Sequence, residues 1–332
     1  MKKAAAILCL LALLFSFAAC APTERTALGF SMGSEYEVTY TCSKDLDVEI
    51  SNLLSSIEES FSVRVEGSVV ARINAALPGE IVSLTQDETD VFTRILTVFT
   101  ASDGAFDPAI FPLVKAWSFD PPYLMNEEFV PPTEDVISSA KAKSSMSLFS
   151  FDLTNNSVSK SDADTALDLG AAIKGYAVEK VVAFLKEKKV KESLIYFGGT
   201  IGAVGRDYLI GVTPPRESKH RYAFRFSLKA GEVCATSGDY ERYYTYEGKR
   251  YHHIIDANTG YPADSGIISA TVISSDGLLA DALATAVVVL GEEKGIALLE
   301  ACGAKGALVT SDKKIVTVGV SVTIKDTSYA IK

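Results

Sequence analysis

One carboxylate interrupts an otherwise apolar predicted helix. Apart from Asp281, residues 278–290 are Leu, Ala, Val and a single Thr, and that Thr285 lies four positions after the carboxylate. Side chains at i and i+4 share one helix face, and an unpaired buried carboxylate is unfavourable. A carboxylate and a hydroxyl oxygen together suit Mg²⁺, which also keeps water and phosphate ligands. The alternative is a structural Asp near the helix start, stabilised by free N–H groups and the helix dipole.

Two further segments could contact a phosphate or a planar ring. Residues 168–176 read Asp-Leu-Gly-Ala-Ala-Ile-Lys-Gly-Tyr, in which Gly170 permits close backbone approach and Lys174 could meet a phosphate at a helix N terminus. Residues 104–108, Gly-Ala-Phe-Asp-Pro, place an aromatic ring and a carboxylate in a loop fixed by proline. An ordinary helix start and a packed turn are the structural alternatives for these two segments.

A pair of histidines precedes a turn motif. His252 and His253 are followed by Ile-Ile-Asp-Ala-Asn-Thr-Gly-Tyr-Pro, which predicts a strand that ends in an Asx-type turn. A histidine here could act as a base or serve only as a structural hydrogen-bonding group. Residues 235–240, Ala-Thr-Ser-Gly-Asp-Tyr, are rich in small hydroxyls but lack the G-x-S-x-G pattern of a serine hydrolase.

The periodicity of apolar residues predicts an α+β protein. Helices are predicted over about 46–61, 86–102, 171–188, 277–290 and 293–301. Short strands are predicted at 36–40, 193–197, 207–212, 222–228, 232–236, 243–247, 250–255 and 267–274, with two or three more at the C terminus. Strands follow one another without regular helical crossovers, which favours mostly antiparallel sheets flanked by helices over a doubly wound parallel sheet. Residues 28–332 are therefore predicted to form a single catalytic domain.

The N terminus is typical of an export signal. Lys2 and Lys3 precede an apolar run that ends in Phe17-Ala-Ala-Cys20, and this run is too short to favour spanning a bilayer. Residues 1–19 are predicted to be a signal peptide, with Cys20 lipidated and residues 20–27 forming a tether. An ordinary cleaved signal peptide is the alternative. The lipid anchor predicts an inner membrane lipoprotein that faces the periplasm.

Composition excludes several classes of function. The formal net charge of -10 argues against a nucleic-acid partner. Cys42, Cys234 and Cys302 show no C-x-x-C spacing, and the three histidines complete no zinc pattern. The spacing of these residues therefore predicts neither a zinc site nor a disulfide framework.

Taken in order, these segments resemble the FAD:protein FMN transferase family, also called the ApbE family. The resemblance runs from Met32-Gly33-Ser34, where the family usually has Met-Gly-Thr, to the helix with Asp281 and Thr285, about three quarters of the chain. The segments between them that carry the resemblance are Ser62, Ser68 and Asn74, residues 104–108, residues 168–177, Gly198-Gly199, residues 236–240 and residues 253–262.

The resemblance implies a tunnelling-type α+β fold with FAD bound between its halves. It implies a Mg²⁺ site built from the Ala171 carbonyl, Asp281 and Thr285, with the Ala284 carbonyl as a further candidate ligand. It matches His253 to a proton acceptor. The residues that it places around FAD are Met32, Ala105, Phe106, Asp107, Asp168, Lys174 and Ile255, together with Arg64, which stands where an aromatic residue often covers the flavin.

The reaction that the resemblance implies is Mg²⁺-dependent transfer of FMN from FAD to a Thr or Ser hydroxyl of a partner protein, with release of AMP. The expected acceptor is a flavin-bearing subunit of a membrane redox complex that carries an Asp-x-x-Ser/Thr-Gly-Ala/Ser-Thr type of motif. Two alternatives stay open. Arg64 could admit water, which would give a Mg²⁺-dependent FAD pyrophosphatase that forms FMN and AMP, or the chain could be a non-enzymatic flavin-binding lipoprotein.

Overall fold

The computed structural model describes residues 22–120 and 129–332. The predicted signal peptide, Cys20 and residues 121–128 lie outside the described residues. Within those two ranges, no helix combines the length and the apolar character that a bilayer crossing requires.

The described residues form helices and mostly antiparallel strands, and these elements are numbered in chain order. The helices are α1 (Asp47–Phe61), α2 (Val69–Ala75), α3 (Gln86–Ala101), α4 (Phe111–Ala116), α5 (Glu134–Lys141), α6 (Ile173–Glu187), α7 (Gly277–Leu290) and α8 (Glu292–Ala301). The strands are β1 (Thr23–Ser31), β2 (Ser34–Cys42), β3 (Val82–Ser83), β4 (Phe149–Asp152), β5 (Ser157–Lys160), β6 (Ser193–Phe197), β7 (Thr200–Val204), β8 (Tyr208–Val212), β9 (Phe224–Leu228), β10 (Val233–Gly238), β11 (Tyr243–Tyr246), β12 (Lys249–His252), β13 (Ile255–Asp256), β14 (Tyr261–Pro262), β15 (Ile267–Ser274), β16 (Lys305–Thr310), β17 (Lys314–Val318), β18 (Thr323–Ile324) and β19 (Ala330–Ile331).

A nine-stranded sheet organises the fold. Its strand order is β1-β2-β6-β7-β10-β15-β16-β17-β19, and every pair is antiparallel except β17–β19. One face packs against α1, α6, α7 and α8, and the other is partly covered by the small sheet β18-β9-β8. This arrangement confirms the predicted α+β class with mostly antiparallel sheets flanked by helices.

The alternation of side chains in β10 shows why both faces of the sheet are buried. Val233 and Ala235 belong to the core under the helices, whereas Cys234 belongs to the core under the small sheet. Successive strand residues point to opposite faces, so a central strand that is covered on both sides is apolar at nearly every position. The neighbouring strand β15 fits this rule, since Ile267–Ile273 are all buried.

The tether predicted for residues 20–27 is wrong in its extent. Strand β1 already begins at Thr23, which pairs with Cys42, and Ala27 is buried opposite Val38. The segment Thr-Glu-Arg-Thr does not look like a strand because β1 lies at the edge of the sheet, where polar side chains remain exposed. The folded domain therefore starts before residue 28.

The sequence also misplaced or missed several short elements. The strand predicted over 250–255 is two strands: β12 ends at His252, and Ile255 begins β13, which pairs with β14 in a separate sheet. Helices α2 and α5 and the sheet β3-β5-β4 were not predicted. These elements have two to eight residues each, too short for a clear apolar period.

Helices α6 and α7 cross at two glycines. A Cβ on Gly175 would lie 2.0 Å from the Gly277 carbonyl oxygen and 2.7 Å from Asp281 Cβ, and a Cβ on Gly277 would lie 2.2 Å from the Gly175 carbonyl oxygen. The two backbones are therefore closer than any side chain would allow. This contact brings Asp281 against the first turn of α6.

A charged network fixes the same crossing from the side. Glu179 Oε2 in α6 accepts from the Gly277 N–H of α7 at 2.8 Å and from Arg94 Nη2 at 2.6 Å. Arg94, from α3, also contacts Asp276, whose Oδ1 caps α7 by accepting from the Leu279 N–H at 2.7 Å. Three helices are thus joined through one guanidinium, and α7 cannot slide along α6 without breaking these bonds.

We predict that Gly175→Ala destabilises the protein by about 3 kcal/mol or more, because overpacking against rigid backbone exceeds the usual small-to-large penalty. Alanine in a helix interior would otherwise stabilise by up to about 1 kcal/mol relative to glycine, so the sign of the change is diagnostic. Chemical denaturation measures the free energy of unfolding. Glu187→Ala, at the exposed end of the same helix, is the control. A stabilised Gly175→Ala variant would contradict the close crossing.

Candidate active site

Asp281 lies at the crossing of α6 and α7. Its side chain is buried, and Oδ2 accepts from the Gly175 N–H at 2.9 Å. Burial raises the pKa of Asp281, and the positive charge of Lys174 and the Gly175 N–H act in the opposite direction. The alternative role of a structural Asp at the helix start is filled by Asp276, the N-cap of α7.

The Asp281–Gly175 hydrogen bond ties the carboxylate to the start of α6. Gly175 is the third residue of α6, so its N–H has no partner within the helix, and it donates to Asp281. The Ala171 carbonyl, in the turn before α6, accepts no hydrogen bond from the backbone of the described residues. Carboxylate and carbonyl oxygens are the donor types that a hard cation takes.

Thr285 follows one turn later on α7, and its Oγ1 lies 3.1 Å from Ser237 Oγ at the end of β10. Ala284 is fully buried within the helix. No group of three or more His, Cys, Asp or Glu side chains that could hold a metal occurs in residues 22–120 and 129–332. A cation between Asp281 and Thr285 would thus depend on hydroxyl, carbonyl, water or phosphate oxygens, which Mg²⁺ accepts and Zn²⁺ does not favour.

Lys174 connects two glycine-bearing turns to this centre. Its Nζ donates to the Gly170 carbonyl at 2.8 Å. A Cβ on Gly198 would lie 3.2 Å from Lys174 Cδ and 2.7 Å from Ser34 Oγ. The hairpin turn that holds Met32, with φ of 46°, therefore meets the turn at Gly198 beside the first turn of α6.

Asp107 and Asp168 belong to two loops that touch. The Asp168 N–H donates to the Pro108 carbonyl at 2.8 Å, and Asp168 Oδ1 accepts from the Gly170 N–H at 2.8 Å. The two carboxylate oxygens of Asp107 accept from the Ala109 and Met146 N–H groups at 2.8 and 3.2 Å. Burial raises the pKa of Asp107, and these two N–H groups oppose the shift.

A cavity of about 600 Å³ opens beside Asp107. Its lining includes Phe99, Gly104, Asp107, Ala257 and Asn258, so it lies between the 104–108 loop and the 253–262 loop. Three neighbouring residues that were predicted to contact FAD are among the buried residues of the structure. Ala105, Phe106 and Ile255 are buried; Phe106 packs in the core under the helices, and Ile255 packs with Trp117 in a separate cluster.

His253 has the geometry of a neutral base. Its Nδ1 lies 3.2 Å from the Arg242 carbonyl oxygen, which can only accept, so Nδ1 carries the proton and Nε2 keeps its lone pair. Burial holds the pKa of His253 well below its ordinary value, and the charge of Arg242 acts in the same direction. Lys174 adds to this electrostatic effect, which places His253 on the same side as the first turn of α6.

Arg64 is half exposed and forms an ion pair with Asp120, with Nη2 2.6 Å from Oδ1. Both residues interact electrostatically with Arg242, as does Asp168. Arg64 therefore lies on the side of the molecule that holds His253 and Asp168.

The sequence predicted Asp281 and Thr285 but not the residues that position their helix. The Arg94–Glu179–Asp276 network was not predicted, although Arg94 stands beside the buried row Val91, Ile95 and Val98 of α3. The pairing of Ser237 with Thr285 was also missed. Its only signal is a polar residue that continues the buried row Val233 and Ala235 of β10.

Comparison with known proteins identifies a family that matches most of this chain. The sequence profile of the ApbE family matches residues 32–308. The FAD:protein FMN transferase of Vibrio cholerae serotype O1 is 30% identical over 305 residues, which are 88% of this chain and 89% of that protein. The FAD:protein FMN transferase of Klebsiella pneumoniae is 32% identical over 260 residues, 78% of this chain and 80% of that protein.

Solved structures give the same result for the fold. The crystal structure of the ApbE protein from Thermotoga maritima superposes with a TM-score of 0.77 at 29% identity, and the match covers 92% of this chain and 98% of that chain. Fold, motif order and sequence profile agree over most of the described residues. This chain belongs to the ApbE family.

Proposed function

We propose that this protein transfers FMN from FAD to a Thr or Ser hydroxyl of a partner protein and releases AMP, in a reaction that requires Mg²⁺. The proposal is supported by the activity for which the Vibrio cholerae and Klebsiella pneumoniae relatives are named. The observation that carries it is the buried carboxylate of Asp281 in an apolar helix, held at the start of α6 by the Gly175 N–H.

Asp281, Thr285 and the Ala171 carbonyl would hold the Mg²⁺, with the Ala284 carbonyl as a further ligand. When bound, Mg²⁺ would supply positive charge to the pyrophosphate of FAD and to the phosphate of the departing AMP. Lys174, close to Asp281, adds a positive charge on the same side. Positioning and charge stabilisation supply most of the rate in such phosphoryl chemistry.

FAD would lie across the touching loops at Asp107 and Asp168 and the hairpin turn at Met32. The partner's hydroxyl oxygen forms a bond to the phosphorus on the FMN side, and the bond from that phosphorus to the bridging oxygen breaks, so that AMP leaves with that oxygen. The hydroxyl proton passes to Nε2 of His253. Residues proposed to contact FAD are Met32, Arg64, Ala105, Phe106, Asp107, Asp168, Lys174 and Ile255.

The same proposal includes a location and a partner. The basic, apolar and Ala-Ala-Cys pattern of residues 1–20 supports an inner membrane lipoprotein anchored at Cys20 and facing the periplasm. An acceptor subunit of a membrane redox complex would share that location.

FAD hydrolysis to FMN and AMP is the second candidate. It is favoured by Arg64, whose side chain is half exposed and paired with Asp120 instead of presenting an aromatic face. An open flavin site would let water take the place of the partner's hydroxyl. Free FMN formed without an acceptor would indicate hydrolysis.

We predict that Asp281→Ala lowers Mg²⁺-dependent AMP release by at least about 100-fold, since loss of a ligand should exceed the 10- to 100-fold effect of residues that only support one. The protein is incubated with FAD, MgCl₂ and a peptide that carries the acceptor motif. Mass spectrometry measures the peptide with added FMN, and chromatography measures AMP. Glu300→Ala, an exposed carboxylate on α8, should behave as wild type. Full activity of a folded Asp281→Ala variant would rule out the metal assignment.

We predict that activity persists as the pH falls past 6.5, the ordinary pKa of histidine, because His253 has a lowered pKa and stays neutral there. His253→Gln should lower kcat by about 10²- to 10⁴-fold, the usual contribution of a general base, and should remove the acidic limb of the pH–rate profile. His220→Gln, an exposed histidine, is the control. An acidic limb that survives in His253→Gln would assign the base elsewhere.

A further inference from the structure

We infer that Ser237 is a positioning residue that orients the Thr285 hydroxyl for cation binding. This inference rests on the proposed function, because it concerns the same Mg²⁺ site. It starts from the 3.1 Å separation of Ser237 Oγ and Thr285 Oγ1, which joins the end of β10 to the middle of α7.

The register of β10 puts Ser237 on the helix side of the sheet. Val233 and Ala235 on that side are buried in the core under the helices, and Ser237 is the next residue in the same row. It is half-buried, at the point where the row reaches the edge of the core. A hydroxyl in an apolar row needs a partner, and Thr285 is the partner that it has.

Thr285 does not bond in the way that two helical threonines of α3 do. Thr93 and Thr97 in α3 donate to the carbonyls four residues earlier, at 2.7 and 2.8 Å, which is the common local bond of threonine in helices. The Thr285 hydroxyl is instead hydrogen-bonded to Ser237. Its hydroxyl is thus turned away from its own helix and toward the strand.

A hydroxyl that ligates a cation must present a lone pair to it and donate its proton elsewhere. Ser237 Oγ is within reach to accept that proton. With the proton held there, the Thr285 lone pairs remain available on the side of Asp281. Supporting groups of this kind usually change metal affinity by 10- to 100-fold.

The opposite face of the same strand supplies a matched control. Thr236 Oγ1 lies 2.9 Å from Thr271 Oγ1, a second hydroxyl pair that joins β10 to β15. Replacing Thr236 removes a comparable bond from the adjacent residue but leaves Asp281 and Thr285 untouched. A loss of strand stability alone would therefore appear in both variants, whereas a loss of cation affinity should appear in one.

The test measures the rise in Tm of the full chain as MgCl₂ is added, which gives an apparent Kd for Mg²⁺ without any turnover. We expect Ser237→Ala to raise that Kd about tenfold. Ser237→Thr, which keeps a hydroxyl, and Thr236→Val should both keep the wild-type Kd. In a Thr285→Val background, Ser237→Ala should have no further effect on the Kd, because its partner is already absent.

Two outcomes separate this inference from the function on which it rests. If Asp281→Ala loses the Mg²⁺ response but Ser237→Ala keeps the wild-type Kd, the role of Ser237 is overturned and the metal site stands. If Asp281→Ala keeps the full response, the metal site itself is wrong. Equal changes of Kd in Ser237→Ala and Thr236→Val would mean that Ser237 has only a structural role.

Discussion

The hydrogen bond from the Gly175 N–H to Asp281 is the interaction on which the site depends. It requires α6 and α7 to touch backbone to backbone, which glycine at 175 and 277 permits. It also satisfies an N–H in the first turn of α6 that has no partner within the helix. One bond therefore partly satisfies a buried carboxylate and joins the two helices at the site. The stability of the crossing and the chemistry of the site cannot be separated, because both depend on the same few atoms.

Much of the fold was predictable because its main elements have long, regular apolar patterns. Helices α1, α3, α6 and α7 and strands such as β6 and β15 match the predicted ranges closely. Asp281 and Thr285 were found for the same reason, since oxygen donors stand out in an apolar helix. Strand β1 was missed because an edge strand needs only one apolar face, and the short helices because they span too few turns to show a period.

The sequence does not reveal which distant segments of the chain come into contact. Ser237 and Thr285 are 48 positions apart, and Arg94 and Asp276 are 182 positions apart. Neither pair has a local pattern, because each depends on which helix lies over which strand. Gly175 and Asp281, 106 positions apart, are a further case. Such partners orient the central groups, so they matter as much to the chemistry as the groups that periodicity reveals.

The length of β1 limits how far the turn at Met32 can lie from Cys20. The nine residues of β1 run from Thr23 to Ser31, directly before the turn at Met32. At about 3.3 Å per residue that strand spans roughly 30 Å. If Cys20 carries the proposed lipid, β1 would act as a spacer that keeps the turn within roughly that distance of the bilayer surface, plus a few residues of linker. A receiving hydroxyl would then have to come within the same distance of the bilayer.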